Sequence, residues 1–79
     1  MPTVLLEQGF RFFFYSNEND EPIHVHVERA EAEGKIWLEP EIAVAYFYHF
    51  SLREQRQIME IVQVNASLFK RKWNEHFSS

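Results

Sequence analysis

Two histidines separated by one residue, His24 and His26, form the most chemically suggestive pattern in the sequence. Residues two apart on a strand lie on one face with α-carbons about 6.6–6.8 Å apart, so both imidazoles could reach one metal ion or one phosphate. Histidine also exchanges protons near neutral pH, which makes the pair our candidate catalytic residues. A zinc site needs a third or fourth ligand, and none lies at a recognisable spacing, so we expect no metal and no other cofactor.

Other side chains suited to nucleic-acid chemistry are expected on the same face as the histidines. Arginine binds phosphate through two parallel hydrogen bonds, and aromatic rings stack on bases. The candidate substrate-binding residues are Arg11, Tyr15, Lys35 and Trp37. This is the inventory of a small ribonuclease or a single-strand RNA-binding protein. Two simpler interpretations stay open. The histidines could lie on a solvated sheet face, and Arg11, Glu28 and Lys35 could form a cross-strand charge ladder beside aromatic rings that a helix or a partner covers.

Strands in the first half of the chain must position these residues. Residues 23–28 alternate between apolar and polar, which is typical of a half-buried strand and directs the histidines away from the core. Short strands are also predicted over residues 3–6, 10–15, 35–39 and 42–48. Pro40 should end the fourth strand, because proline cannot donate to a ladder.

The register of the predicted sheet follows if Phe10, Phe12 and Phe14 face the core, because a slip by one residue would bury the charged groups. Antiparallel pairing then sets Arg11 opposite Glu28, Phe13 opposite His26 and Tyr15 opposite His24. After a polar turn over residues 29–34, it sets Glu28 opposite Lys35, His26 opposite Trp37 and His24 opposite Glu39.

A helical region follows the strands. Ser51 and Glu54 form a capping box, and apolar residues recur at helical spacing as far as Phe77. A single helix over residues 52–77 would be about 39 Å long, whereas the expected radius of gyration is only about 12 Å. We therefore expect a break near Asn65, or a helix that projects onto a partner chain.

The predicted fold class is α+β, with one domain spanning residues 1–79. An antiparallel β-meander of four to five strands, at about residues 3–46, precedes a helix or helix pair at residues 51–77 that packs on the sheet. The 79 residues include no cysteine, which excludes disulfides and fits a cytoplasmic location. No signal peptide or apolar stretch of about 18–20 residues is visible, so no membrane contact is expected. The formal charge of −4 argues against DNA binding.

The number of aromatic residues indicates an interface. Eight Phe, three Tyr and two Trp are many for a core of this size, and Phe13 and Trp37 fall on the outer face. A contiguous exposed aromatic patch often marks a site of protein association. Trp73 and Phe77 could instead fold across that patch and cover it.

Four blocks of sequence follow one another in a specific order: RFFFYSNE at 11–18, EPIHVHV at 21–27, KIWLEP at 35–40 and KWNEHF at 72–77. With them the chain resembles the bacterial "domain of unknown function 4160" family. It departs where Ile23 replaces a second proline and where His49 replaces a glycine. The resemblance implies a small cytoplasmic prokaryotic protein of unestablished activity, often encoded beside another small protein in pairs that look like toxin–antitoxin cassettes. No catalytic residues carry over from the family.

Two functions from different classes follow. The first is a protein-interaction component of a toxin–antitoxin-like two-gene cassette, which binds the small protein encoded nearby, associates with itself, or does both. The alternative is a small RNA-cleaving or RNA-binding protein that uses the face of His24 and His26. Whether the protein is an enzyme is left open by the sequence, and a DNA-binding regulator is disfavoured.

Overall fold

The computed structural model describes residues 3–15 and 20–77, which form one antiparallel sheet and one helix. The elements are β1 (Thr3–Glu7), β2 (Phe10–Phe13), β3 (His24–Arg29), β4 (Ala32–Trp37), β5 (Ala43–Tyr48) and α1 (Leu52–Phe77). The strands lie in the order β1-β2-β3-β4-β5, so each pairs with its neighbour in sequence. The predicted α+β meander is confirmed with five strands, and the fifth ends at Tyr48, as the predicted strand over residues 42–48 does.

Tight turns join the strands of two hairpins. Gln8 and Gly9 connect β1 to β2 with φ angles of 54° and 84°, the left-handed pair that suits the twist of a two-residue hairpin. Ala30 and Glu31 connect β3 to β4, and Ala30 also has a positive φ of 53°. This second turn is shorter than the predicted turn over residues 29–34.

The short turn corrects the predicted register of β3 and β4. The first pairing is confirmed, since Arg11 lies opposite Glu28 and Phe13 opposite His26. In the second, His26 lies opposite Lys35 and His24 opposite Trp37, two residues from the prediction. A shift of two leaves every side chain on its predicted face, because strand side chains alternate with a period of two.

Helix α1 is continuous from Leu52 to Phe77, so the predicted break near Asn65 is wrong. The side chain of Asn65 instead donates to the carbonyl of Ile61, 2.8 Å away, within the same helix. The radius of gyration, 11.7 Å, agrees with expectation, but the molecule is elongated and measures 37 × 24 × 19 Å. From the first to the last of its 26 α-carbons the helix spans about 37–38 Å, which matches the longest dimension of the molecule.

The capping box at the start of α1 is confirmed. The amide of Glu54 donates to Ser51 Oγ at 3.1 Å, and the amide of Ser51 donates to Glu54 Oε1 at 2.9 Å. Both bonds satisfy amides that would otherwise lack a partner at a helix start.

One face of α1 packs on the sheet and forms the core. Its buried residues are Ile58, Ile61, Val62, Phe69 and Trp73. Phe12 meets Phe69 with ring centroids 5.4 Å apart, and Phe14 meets Trp73 at 5.3 Å. In the part of the chain that the structure describes, no helix combines the length and apolar character needed to cross a bilayer.

Candidate functional site

A row of side chains runs across four strands on the face that carries the histidines. Phe13, His26, Lys35 and Tyr46 lie opposite one another on β2, β3, β4 and β5. His26 is only 5% exposed. Its ring stacks on Phe13 with centroids 5.6 Å apart, and the ring of Tyr15 meets it edge-on at 4.5 Å. The imidazole of His26 is therefore shielded by aromatic neighbours.

His24 is buried more completely than His26 and is surrounded by rings. Trp37 on the neighbouring strand lies 5.4 Å from it between centroids, and Trp73 of α1 lies 4.9 Å away. Its Nδ1 is 2.9 Å from the carbonyl oxygen of Pro22. Since a carbonyl can only accept, Nδ1 carries the proton and donates. The expectation of a solvated histidine face is wrong, because aromatic side chains from β2, β4 and α1 pack around both imidazoles.

The two candidate cations on this face are bound to carboxylates. Arg11 Nη1 lies 2.8 Å from Glu28 Oε2, and Arg11 Nε donates to Thr3 Oγ1 at 2.7 Å. Lys35 Nζ lies 2.7 Å from Glu21 Oε1. The predicted charge ladder is therefore correct for Arg11 and Glu28 and wrong for Lys35, which the two-residue change of register moves away from Glu28.

Cation–π contacts add to these ion pairs. The guanidinium carbon of Arg11 lies 4.5 Å from the ring centroid of Phe13, and Lys35 Nζ lies 4.3 Å from that of Trp37. Such contacts hold a cation against an aromatic face. A phosphate that approached this face would have to compete with both the carboxylates and the rings.

The structure brings most of the predicted site residues together. His24, His26, Lys35 and Trp37 occupy adjacent positions on β3 and β4, with Tyr15 against His26. Arg11 lies one row away, opposite Glu28, while Tyr15 follows the end of β2 and so does not pair with His24 as predicted. Their role in catalysis or substrate binding stays a prediction. Within residues 3–15 and 20–77, no group of three or more His, Asp or Glu is arranged to hold a metal ion.

A concave surface that the sequence did not predict lies between strand β5 and the first half of helix α1. We call it the β5–α1 groove. It has a volume of about 460 Å³ and is lined by Val44, Phe47, Leu52, Gln55, Arg56, Met59, Glu60 and Gln63. None of the six predicted site residues lines it. The sequence carried a signal for this surface in the uncharged run of β5 and in Leu52 and Met59, which are two helical turns apart.

Exposed apolar side chains lie in and beside the β5–α1 groove. Leu52 is 70% exposed, and Val44 and Tyr48 are also exposed. Four of the groove's eight lining residues are apolar, and the other four are polar, with Arg56 and Glu60 as the charged groups. Two other clefts lie elsewhere on the molecule. One is lined by residues of β1 with Phe14, Lys72, Glu75 and His76, and the other surrounds the β3–β4 turn and His49.

Comparison with protein families places this arrangement among related sequences. The family model described as "Domain of unknown function (DUF4160)" matches residues 9–74 of the 79-residue chain. The chain belongs to the DUF4160 family. The DUF4160 match includes the histidine pair and the whole lining of the β5–α1 groove, and it confirms the resemblance seen in the sequence. Neither the curated proteins nor the solved structures give a match to the chain.

Proposed function

We propose that this DUF4160 protein is the protein-interaction component of a toxin–antitoxin-like two-gene pair. It acts by burying the β5–α1 groove against another protein chain. The observation that carries the proposal is the groove itself, which has a volume of about 460 Å³, lies between an edge strand and a helix, and contains exposed apolar side chains. A contiguous apolar surface of this kind marks a site of association more often than a site of polar chemistry.

The composition of β5 supports burial of this edge by a protein. Natural edge strands are usually blunted by charged side chains or proline, because an open ladder recruits further strands. Residues Ala43–Tyr48 have neither, and four of the six residues are exposed. Strand β5 does carry a β-bulge at Ala45, which twists part of the edge away, and the uncharged residues beside the bulge still favour cover by another chain.

The geometry of the histidine face supports protein binding over the RNA alternative. An RNA-cleaving site needs imidazoles that a ribose or phosphate can reach. His24 and His26 are instead shielded by aromatic rings, and Arg11 and Lys35 are held by Glu28 and Glu21. The formal charge of −4 adds no attraction for a polyanion.

The family resemblance fits the same proposal. The resemblance implies a second small protein encoded nearby, and such a protein would supply a partner for an exposed apolar surface. We propose that both act in the cytoplasm. Growth regulation would then arise from binding and release of the partner, with no chemistry required of the histidine face.

The test is the native mass of the chain, alone and co-expressed with the product of the adjacent gene, measured by light scattering after gel filtration. We expect a homomeric or heteromeric assembly for the wild type. Leu52→Lys, in the groove, should disrupt it. Leu6→Lys on β1 is the matched control, because both leucines are 70% exposed and Leu6 lies at the opposite edge of the sheet. A strictly monomeric protein without affinity for the neighbouring gene product would contradict the proposal.

A further inference from the structure

We propose that the chain seated in the β5–α1 groove is a second copy of this protein. Strand β5 of one copy pairs antiparallel with β5 of the other, so the two five-stranded sheets become one continuous sheet. This inference rests on the proposed function, which states that a protein covers the groove, and it identifies that protein.

The first argument is the position of β5 in the sheet. It pairs with β4 on one side and has no further described strand on the other. An incoming strand can add to such an edge through main-chain hydrogen bonds. Antiparallel pairing of two identical strands generates a twofold axis, which makes the interface self-complementary. Because Ala43–Tyr48 carries no charge, two copies would meet without like charges facing one another.

The β-bulge in β5 shows why the neighbouring helix must contribute to the contact. Ile36 pairs with Val44 and Lys35 pairs with Tyr46, so Ala45 is the additional residue. A bulge increases the local twist and limits how many residues can pair across an edge. Ladder bonds alone would therefore be few, and side chains beside the strand must supply the remaining contact.

Those side chains lie on the first half of α1 and on β5. Leu52 and Val44 line the groove and are exposed. Val64 is 82% exposed and lies one turn beyond Glu60, on the same side of the helix. In a twofold dimer both copies bury the same residues, so each residue contributes two buried side chains to the interface. Their burial removes apolar surface from water, which is the main driving force for association.

The groove carries one positive and one negative side chain, so two copies of it can be complementary in charge. Arg56 and Glu60 both line it and are one helical turn apart. A twofold axis perpendicular to the sheet keeps both helices on one side and runs them antiparallel. Arg56 of one copy can then face Glu60 of the other, and the reverse. This relation favours a second copy over a partner of unrelated sequence, since such a partner need not carry the matching charges.

The first experiment measures mass against concentration by sedimentation equilibrium for the purified chain. We expect a wild-type mass of twice 9.6 kDa. Ala45→Lys places a charge near the middle of the β5 edge and should raise the dimer dissociation constant by about 100-fold or more, because both copies then carry a lysine into an otherwise uncharged strand interface. Leu6→Lys places the same charge on the β1 edge and should leave the constant unchanged. Far-UV circular dichroism checks that both variants fold.

The second experiment tests the twofold relation through charge reversal. Arg56→Glu alone and Glu60→Arg alone should each weaken the homodimer. Mixing the two variants should give a preferred heterodimer, because every cross-axis pair is then of opposite sign. An absence of preference in the mixture would overturn the twofold arrangement.

Two further results overturn the inference. One is a dimer that Leu6→Lys disrupts and Ala45→Lys does not. The other is a wild-type chain that stays monomeric yet binds the neighbouring gene product in a manner sensitive to Leu52→Lys. In that last case the proposed function stands and only the identity of the partner is wrong. A monomer without any partner contradicts both.

Discussion

The indole ring of Trp73 lies against the imidazole ring of His24, with centroids 4.9 Å apart and planes at 62°. This contact joins the last third of α1 to the first residue of β3. Edge-to-face aromatic pairs contribute about 0.5–1.5 kcal/mol beyond the burial of their surface. The same contact covers one side of the candidate catalytic pair, so the helix that completes the core also shields the histidine face.

Trp73 should therefore matter for stability. Because its ring is buried between Phe14 and His24, Trp73→Ala should lower the free energy of unfolding by about 3–5 kcal/mol, measured by urea denaturation. Asn74→Ala, at the exposed next position, is the control and should change it by less than about 0.5 kcal/mol. Equal unfolding midpoints for the two variants would show that the end of α1 does not pack on β3.

His24 should behave as a structural residue. His24→Ala removes a buried ring and its hydrogen bond to Pro22, so we expect a loss of about 2–4 kcal/mol in the free energy of unfolding. His24→Phe keeps the ring but leaves the Pro22 carbonyl without its donor, and should cost about 1–3 kcal/mol. Growth inhibition by the wild type that disappears in His24→Ala/His26→Ala at unchanged stability would instead show that these residues act in chemistry.

Position 34 must be glycine because the ring of Phe47 leaves no room for a β-carbon there. A β-carbon at position 34 would lie 2.7 Å from Phe47 Cδ1 and 3.1 Å from the carbonyl oxygen of Tyr46. Gly34→Ala should therefore displace β5 and cost about 1–3 kcal/mol of stability, as overpacking does. Adding Phe47→Leu to Gly34→Ala should recover part of that loss in thermal denaturation. No recovery in the double variant would place the conflict at the backbone of Tyr46.

The sequence predicted the strands and their faces well because these depend on local alternation. Residues 23–28 alternate strictly, and Phe13 lies opposite His26 as expected. The pairing of β3 with β4 was wrong by two residues, because Ala30 adopts a positive φ that its residue type does not indicate. Alternation fixes the face of a strand, but only the turn fixes its register.

The remaining errors concern tertiary structure. A helix break was predicted near Asn65 from its residue type. Its side chain instead donates a hydrogen bond to the Ile61 carbonyl within α1, and the helix continues. His24 and His26 alternate with apolar residues, as outward-facing residues do. Their burial depends on Trp73, which is distant in sequence and contacts His24, and on Tyr15, which lies beyond the end of β2 and contacts His26. The β5–α1 groove was missed for the same reason, since its two walls come together only in the folded chain.

The capping box provides a local test of α1. Ser51→Ala removes the hydroxyl that accepts from the amide of Glu54, so we expect a loss of about 1 kcal/mol in the free energy of unfolding. Ser51→Thr keeps the acceptor and should lose only a small part of this. Equal stability of Ser51→Ala and wild type would contradict a stabilising role for the cap.

The most direct test of the central claim is amide hydrogen exchange across β5, compared between dilute chain and the assembled protein. If a protein chain covers the β5–α1 groove, exchange within Ala43–Tyr48 should slow by about 10-fold or more on assembly, because open edge amides become bonded or shielded. Exchange within Thr3–Glu7 at the other edge should stay the same. Unchanged exchange in β5, or protection confined to β1, would contradict the account.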